Sequence, residues 1–326
     1  MNLTTCPEAG IQIDERVAAV VRDGLGSLPK RLPPWLFYDQ AGSQLFEKIT
    51  ELPEYYLTRT ERGIFTAYAG AMIAEAAGSA RLRITELGAG SADKTRLLLA
   101  AVVERQGNLL YEPVDVSDTA LEVANVRIER EIPGVTVSAQ HMDYTQGLKL
   151  EPLGPDERRL VLYIGSSIGN FEPPEAKCLL ERVRSELKAG DALLLGVDLA
   201  KDEATLLAAY NDAAGVTAKF NRNILVRLNR ELDGDFDSDA FVHVAFWNGI
   251  ESRIEMHLES RIAQRVRLTA LDFEVEFAAG ENIHTENSYK YRPGQAEAML
   301  AEAGFRPAAG WKDKRGWFEV CLGEAS

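Results

Sequence analysis

From residue 81 to 200 the chain alternates short apolar runs with stretches of helical period, and this alternation restricts the fold more than any other feature. RLRITELG (81–88) precedes ADKTRLLLAAVVERQ (92–106), LLYEPVDV (109–116) precedes DTALEVANVRIEREI (118–132), and VTVSAQHMD (135–143) follows. RLVLYIG (159–165), PPEAKCLLERVRSELKAGD (173–191) and ALLLGVDL (192–199) complete the series. Apolar strands alternating with amphipathic helices predict an α/β fold, a mostly parallel, doubly wound sheet covered on both faces.

The pattern changes after residue 200. Residues 202–233 read as helix, and FVHVAFWN (241–248), SRIEMHLES (252–260), RIAQRVRL (261–268) and FEVEFAAG (273–280) alternate with period two, as antiparallel strands do. A helix over 294–304 and a strand around 316–322 end the chain, while the first 60 residues read as helices and turns rich in aromatic residues. Two domains are therefore expected. One comprises 61–200 and 290–326; the second, mixed α+β, is assembled from 1–60 and 201–289.

A chain of 326 residues is long for one compact domain, and 46% apolar with 26% charged residues is ordinary for a folded protein. Acidic residues outnumber basic ones, 50 to 36, and the resulting charge of −14 repels phosphate backbones, so no nucleic-acid partner is expected. No apolar run is long enough to span a bilayer, and the N-terminus lacks a basic region followed by an apolar stretch. Cys6, Cys178 and Cys321 are scattered and odd in number, which fits a reducing cytoplasm. His141, His243, His257 and His284 show no metal-ligand spacing, so no metal is expected.

Candidate chemistry gathers at the strand ends. The first strand runs into ELGAGSADKT, where Gly88 and Gly90 let the backbone turn sharply and approach a nucleotide. A dinucleotide fingerprint wants glycine where Asp93 stands, and a carboxylate there disfavours a pyrophosphate. A nucleoside with a charged, non-phosphate tail suits this loop better. Asp115 tips the second strand and can accept from both ribose hydroxyls, unless it or Asp118 serves only to cap the next helix. Asp143 and Tyr144 end the third strand, where a carboxylate accepts from an adenine amino group and the ring packs beside it. Gly165 and Asn170 mark the end of the fourth. Further along, HTENSYKY (284–291) sets Glu286 and Ser288 on one side of a strand, either as a polar clamp for a small ligand or as a solvated strand end.

Together these features resemble a class I S-adenosylmethionine-dependent methyltransferase with its Rossmann-like sheet. The resemblance narrows with PPWLFYDQAGSQLFEKITELPEYYLTRTE, LGAGSADKTR, GSSIGNF, YNDAAGVTAKFNRN, RIEM and FAAG…TENS…YRP. From about residue 20 onward these motifs are similar, in order, to the histidine-specific Nα-methyltransferases of ergothioneine biosynthesis. That resemblance implies S-adenosyl-L-methionine held by Gly88, Lys94, Asp115, Asp143 and Tyr144, with Tyr38 and Tyr55 nearby and Lys94 offering its ammonium to the methionine carboxylate. It implies an amino-acid site of Tyr55, Gly165, Asn170 and Tyr210, and an imidazole pocket of Glu286 and Ser288 with Tyr38 and Met256 beside it. Flanking residues such as Leu57 and Asn287 differ from the family pattern without touching these roles.

The implied chemistry is consistent with the residues. Neutral imidazole carries one N–H donor and one bare nitrogen; Glu286 can accept the first and Ser288 can donate to the second. Tyr55 and Asn170 are the candidates to orient the amine. The expected activity is trimethylation of the α-amino group of L-histidine to hercynine by a cytoplasmic monomer. The alternatives are an N-methyltransferase for another amino acid, or a non-catalytic binding module on the cofactor fold; a nicotinamide oxidoreductase fits least.

Overall fold

The computed structural model describes residues 13–90, 92–116 and 118–326; Cys6, with the rest of the first twelve residues, and Ser91 of the glycine loop lie outside them. Helix α1 (Glu15–Gly26), strand β1 (Lys30–Arg31) and helices α2 (Gln40–Glu51) and α3 (Tyr56–Ala77) open the chain. The α/β series follows as β2 (Arg81–Leu87), α4 (Arg96–Gln106), β3 (Leu109–Asp115), α5 (Asp118–Glu131), β4 (Val135–Val137), β5 (Gln140–His141), β6 (Glu157–Tyr163), α6 (Pro173–Glu186) and β7 (Ala192–Asp198). Helices α7 (Glu203–Tyr210) and α8 (Val216–Leu232) then lead to β8 (Phe241–Asn248), β9 (Arg253–Ser260), β10 (Gln264–Leu268), β11 (Phe273–Phe277) and β12 (Asn282–Tyr289). Helix α9 (Gln295–Glu302) and the hairpin of β13 (Phe305–Lys312) and β14 (Phe318–Ala325) close the chain.

The chain divides into two compact units. The larger holds Ile49–Tyr210, Trp247–Ile254 and Asn287–Ser326; the smaller holds Met1–Lys48, Asn211–Phe246 and Glu255–Glu286. Pattern alone grouped residues 49–60, 201–210, 247–254 and 287–289 with the smaller set.

The larger unit is built on an eight-stranded sheet in the order β13-β14-β7-β6-β2-β3-β4, with β5 continuing beside β3. Strands β2 through β7 run parallel, while β14 pairs antiparallel with both β7 and β13. Its side chains alternate as a two-sided sheet requires. On β6, Leu160 and Leu162 join a core with Ile64, Phe65 and Met72 of α3 and Leu98 and Leu99 of α4. Val161 and Tyr163 face the opposite core, with Leu179, Leu180 and Val183 of α6. Each such leucine, fully buried, contributes roughly 1.5–3 kcal/mol, and a polar residue at any of these positions would forfeit it. Strand order reverses at β2, which has β3 on one side and β6 on the other, so the loops after β2 and β6 flank the crevice where open α/β sheets bind ligands.

In the smaller unit, β1 pairs in parallel with β12, Lys30 opposite Ile283, and β10 and β11 form an antiparallel hairpin with Gln264 opposite Phe277. The division between the units runs along β12 itself, between Glu286 and Asn287. Helix α8 supplies Phe220, whose ring meets Phe37 at 4.6 Å and Tyr38 at 5.7 Å. Among the described residues no helix is long and apolar enough to cross a membrane.

Candidate active site

The glycine loop adopts the conformation its residues permit. Gly88 and Gly90 lie at φ +68° and +52°, a region that suits glycine and strains other residues. The Gly90 N–H donates to Asp115 Oδ2 at 3.1 Å, tying the loop after β2 to the tip of β3. A side chain at Gly88 would bring Cβ within 3.2 Å of the Tyr144 hydroxyl, so the tyrosine stands directly over bare backbone. Burial pushes the Tyr144 phenol above its ordinary range, and its ring meets Tyr163 edge-on at 5.9 Å. Asp143 accepts from the backbone and hydroxyl of Thr145 through Oδ1, at 2.9 and 2.6 Å, which holds the turn in place.

Lys94 is not a helix residue, and its side chain is only partly exposed. It precedes α4, and its ammonium donates to Glu61 Oε2 at 2.5 Å. The other oxygen of Glu61 accepts the Gly165 N–H at 2.8 Å, although Glu61 sits on α3 and is fully buried. Gly165, at φ +81°, completes the group: a Cβ there would lie 2.9 Å from the Lys94 nitrogen. Asp93 corrects the sequence reading. Its carboxylate is paired with Arg62, with Arg127 at 2.6 Å and with Arg96 at 3.7 Å, in the loop ahead of α4. It is thus a compensated structural charge that exerts little net repulsion on a phosphate. Glu86, just before the loop, is buried and accepts from Thr95 at 2.6 Å and from Tyr111; burial raises its carboxyl to about 7 against those two bonds.

A second group forms within the same unit. Tyr55 caps the start of α3, and its ring lies edge-on to Tyr210 at 6.3 Å. The Tyr210 and Ser288 hydroxyls are 2.7 Å apart, and Lys290 donates to both at 2.8 Å. Asn170 ends a short 3-10 turn, Ser167–Asn170, entered through Ser166 at φ +61°. Just beyond it, Glu172 accepts from Asn287 and Arg253, each at 2.9 Å, and from the Tyr289 hydroxyl at 2.5 Å. Burial and that carboxylate raise the Tyr289 phenol to about 12.

Tyr38, Met256 and Glu286 belong to the smaller unit. The Tyr38 ring packs against Phe46 and Phe220, and the Met256 carbonyl accepts from the Thr285 hydroxyl at 3.0 Å. Glu286 is 7% and Ser288 4% exposed, so this stretch of β12 is a buried polar strand and not a solvated end. The smaller unit also gathers Glu255, His257 and His284, whose potential ligand atoms all lie within 4.8 Å of one another. Their spacing along the chain gave no hint of it, because β9 and β12 bring them together.

Sequence reasoning missed Glu61 and Lys290. Glu61 closes the TRTE motif, yet nothing local marks its partners, more than thirty residues away. Lys290 was signalled more directly, since it continues the same-face series of Glu286 and Ser288.

Comparison with known proteins bears on this arrangement. The family model of the SAM-dependent histidine-specific methyltransferases matches residues 17–325. A histidine N-alpha-methyltransferase of Mycolicibacterium smegmatis is 49% identical across 93% of this chain and 92% of that protein. Ergothioneine biosynthesis protein 1 of Neurospora crassa is 30% identical over 87% of this chain and 32% of its own length. A 4-dimethylallyltryptophan N-methyltransferase of Epichloe festucae var. lolii is 27% identical over 92% of each. With a match that runs almost end to end and a sheet whose strand ends carry the glycine loop and its acidic partner, the chain belongs to the family of S-adenosylmethionine-dependent, histidine-specific methyltransferases.

Proposed function

We propose that this protein methylates the α-amino nitrogen of L-histidine three times, yielding hercynine, the first step of ergothioneine biosynthesis, as a monomer in the cytoplasm. The observation that carries the reading is the near-complete match to a histidine N-alpha-methyltransferase. Support from the chain's own residues comes from Glu286 and Ser288, both buried and two apart on β12. Glu286 accepts the imidazole N–H and Ser288, two residues on, donates to the bare nitrogen. An apolar ring would leave a buried carboxylate unsatisfied, at a cost of about 1–3 kcal/mol or more.

The residues at the β2 and β3 tips fit S-adenosyl-L-methionine. Gly88 and Gly90 leave backbone uncovered, and a Cβ on Gly90 would meet nothing within 4 Å. Asp115 offers acceptors for ribose hydroxyls, Asp143 for an adenine amino group beside Tyr144, and Lys94 a cation for the methionine carboxylate. When bound, this cosubstrate supplies an electrophilic methyl group on a sulfonium sulfur, and each transfer forms an N–C bond as that S–C bond breaks, leaving S-adenosyl-L-homocysteine. The protein's part is to hold the acceptor amine neutral and aligned. Near neutral pH a free α-amine is only partly deprotonated; its ammonium loses one proton to solvent before the first transfer, and the methylated ammonium loses one more before the second and again before the third. Tyr55 and Asn170 then accept the remaining N–H bonds and direct the lone pair, with Tyr210 and the Gly165 loop about the carboxylate. Hydroxyl contacts of this kind tolerate a nitrogen that gains methyl groups, which allows successive transfers in one pocket. No step requires a metal.

Mass spectrometry after incubation with S-adenosylmethionine and each amino acid in turn tests the reading. Histidine is expected to gain three methyl groups. Methylation of another amino acid with none on histidine would replace it.

A further inference from the structure

The series of Glu286 and Ser288 on β12 continues just past the strand's end. Lys290, two residues on, is fully buried, and taking an ammonium out of water costs several kcal/mol unless its protons are all accepted. They are. Its nitrogen lies 2.9 Å from Asp198 Oδ2 and 2.8 Å from each of the Ser288 and Tyr210 hydroxyl oxygens. An ammonium has three donors and no acceptor, so these contacts exhaust it. Asp198, at the end of β7 and also fully buried, is held in turn by the Tyr56 hydroxyl at 2.6 Å and by Lys201 at 2.5 Å. Its backbone N–H donates to Ser166 Oγ at 2.9 Å.

This arrangement fixes what two hydroxyls can do. Both oxygens must accept from Lys290, and the two stand 2.7 Å apart, so one hydroxyl proton lies between them. The second proton is turned toward a third group. Without the ammonium, either oxygen is equally able to accept, and the pair no longer distinguishes an acceptor on the substrate from a donor.

We propose that Lys290, anchored by Asp198, is a positioning residue that fixes Ser288 and Tyr210 as a single hydrogen-bond donor toward the amino-acid substrate. It selects a substrate that presents an acceptor there, a bare ring nitrogen or a carboxylate oxygen, and it touches neither substrate nor cosubstrate itself. The proposal rests on the amino-acid site described under the proposed function.

The test is Lys290→Met, which keeps the side chain's length while Tyr56 and Lys201 still compensate Asp198. Steady-state kinetics should show the histidine KM rising about ten-fold or more, with kcat and the S-adenosylmethionine KM within about two-fold. Ser288→Ala, costly by itself, should add less than about two-fold in the Lys290→Met background, because both act on one donor. An unchanged histidine KM, or two effects that simply multiply, overturns the proposal. Should Lys290→Met fail to fold, Lys290→Gln, which removes the charge but keeps an amide donor and leaves the Asp198–Lys201 pair intact, takes the same measurements. Failure of both to fold assigns Lys290 to the core and also overturns it. If the wild-type protein methylates a different amino acid, the histidine reading fails, and the Lys290 test is run on that amino acid with the same outcomes.

Discussion

Glu61 accepts the backbone N–H of Gly165 at 2.8 Å, and through this one bond helix α3 governs the loop that follows β6. The second carboxylate oxygen takes the Lys94 ammonium at 2.5 Å, so a single buried side chain also holds the loop that follows β2. Those two loops flank the point where strand order reverses. A buried carboxylate is costly in such a place unless both its oxygens are used, and here they are. The placement of both loops thus depends on a residue from outside the α/β series.

Glu61→Ala is expected to lower stability by on the order of 2–3 kcal/mol, the value of charged hydrogen bonds whose partners are left unpaired. Glu61→Gln, which retains an acceptor for Gly165, should lose less stability but still raise the S-adenosylmethionine KM, because Lys94 loses its counter-charge. Urea unfolding and cosubstrate titration of both variants separate the two effects. Equal losses of stability would mean that the bond to Gly165 is of no consequence.

Asp115 offers a cleaner probe of the proposed cosubstrate site. Its Oδ2 accepts from Gly90, so Asp115→Asn preserves an oxygen for that loop while Asp115→Ala does not. Removing acceptors for a ribose is expected to raise the S-adenosylmethionine KM about ten-fold in the alanine variant, the histidine KM changing by less than two-fold. Kinetics with each substrate varied in turn provide the check. A shift in histidine KM alone would move Asp115 to the other substrate.

Much of this architecture was legible because periodicity reports burial directly. Leu160, Val161, Leu162 and Tyr163 fill two cores in alternation, and a run with no polar gap is what a two-sided strand looks like. Legibility failed where local chemistry was ambiguous. The helical reading of 202–233 missed a break at 211–215, where the Asp212 carboxylate accepts from Val216 and Thr217 at 2.9 and 2.8 Å and starts α8 afresh. Strand β13 went unread because FRPAAGWK combines proline, glycine and alanine; it lies at the sheet edge, with a register shift between Pro307 and Ala309, where such residues are tolerated. Within the site, strand-tip residues such as Asp115 were visible because topology alone brings strand ends together. Lys94 and Glu61 were not visible as a pair, since no periodicity links a helix of the N-terminal segment to a loop after β2.

Glu286 should set the choice of amino acid. Glu286→Gln keeps the shape but replaces an acceptor-only group with one that also donates. The histidine KM is expected to rise at least about ten-fold, with a smaller change for the cosubstrate. Substrates with an apolar or indole ring should gain on histidine in relative kcat/KM, a competition that mass spectrometry reads in one mixture. Unaltered preference would remove Glu286 from ring recognition.

Glu86 makes the stability of the larger unit depend on pH in an unusual direction. Burial raises its carboxyl from an ordinary 4.5 to about 7, even though Thr95 and Tyr111 donate to it. The folded chain therefore keeps a proton that the unfolded chain has released, between about pH 4.5 and 7. The stability contributed by the neutral acid is complete below 4.5 and is lost as pH rises through about 7. Across that interval the loss amounts to roughly 3 kcal/mol at most. Glu86→Gln, neutral at every pH, abolishes this contribution. Urea denaturation from pH 5 to 8 should then show the wild type losing stability relative to the glutamine variant as pH rises. Parallel curves for the two proteins would show that Glu86 ionises in the folded state as readily as in the unfolded one, and that Thr95 and Tyr111 fully offset its burial.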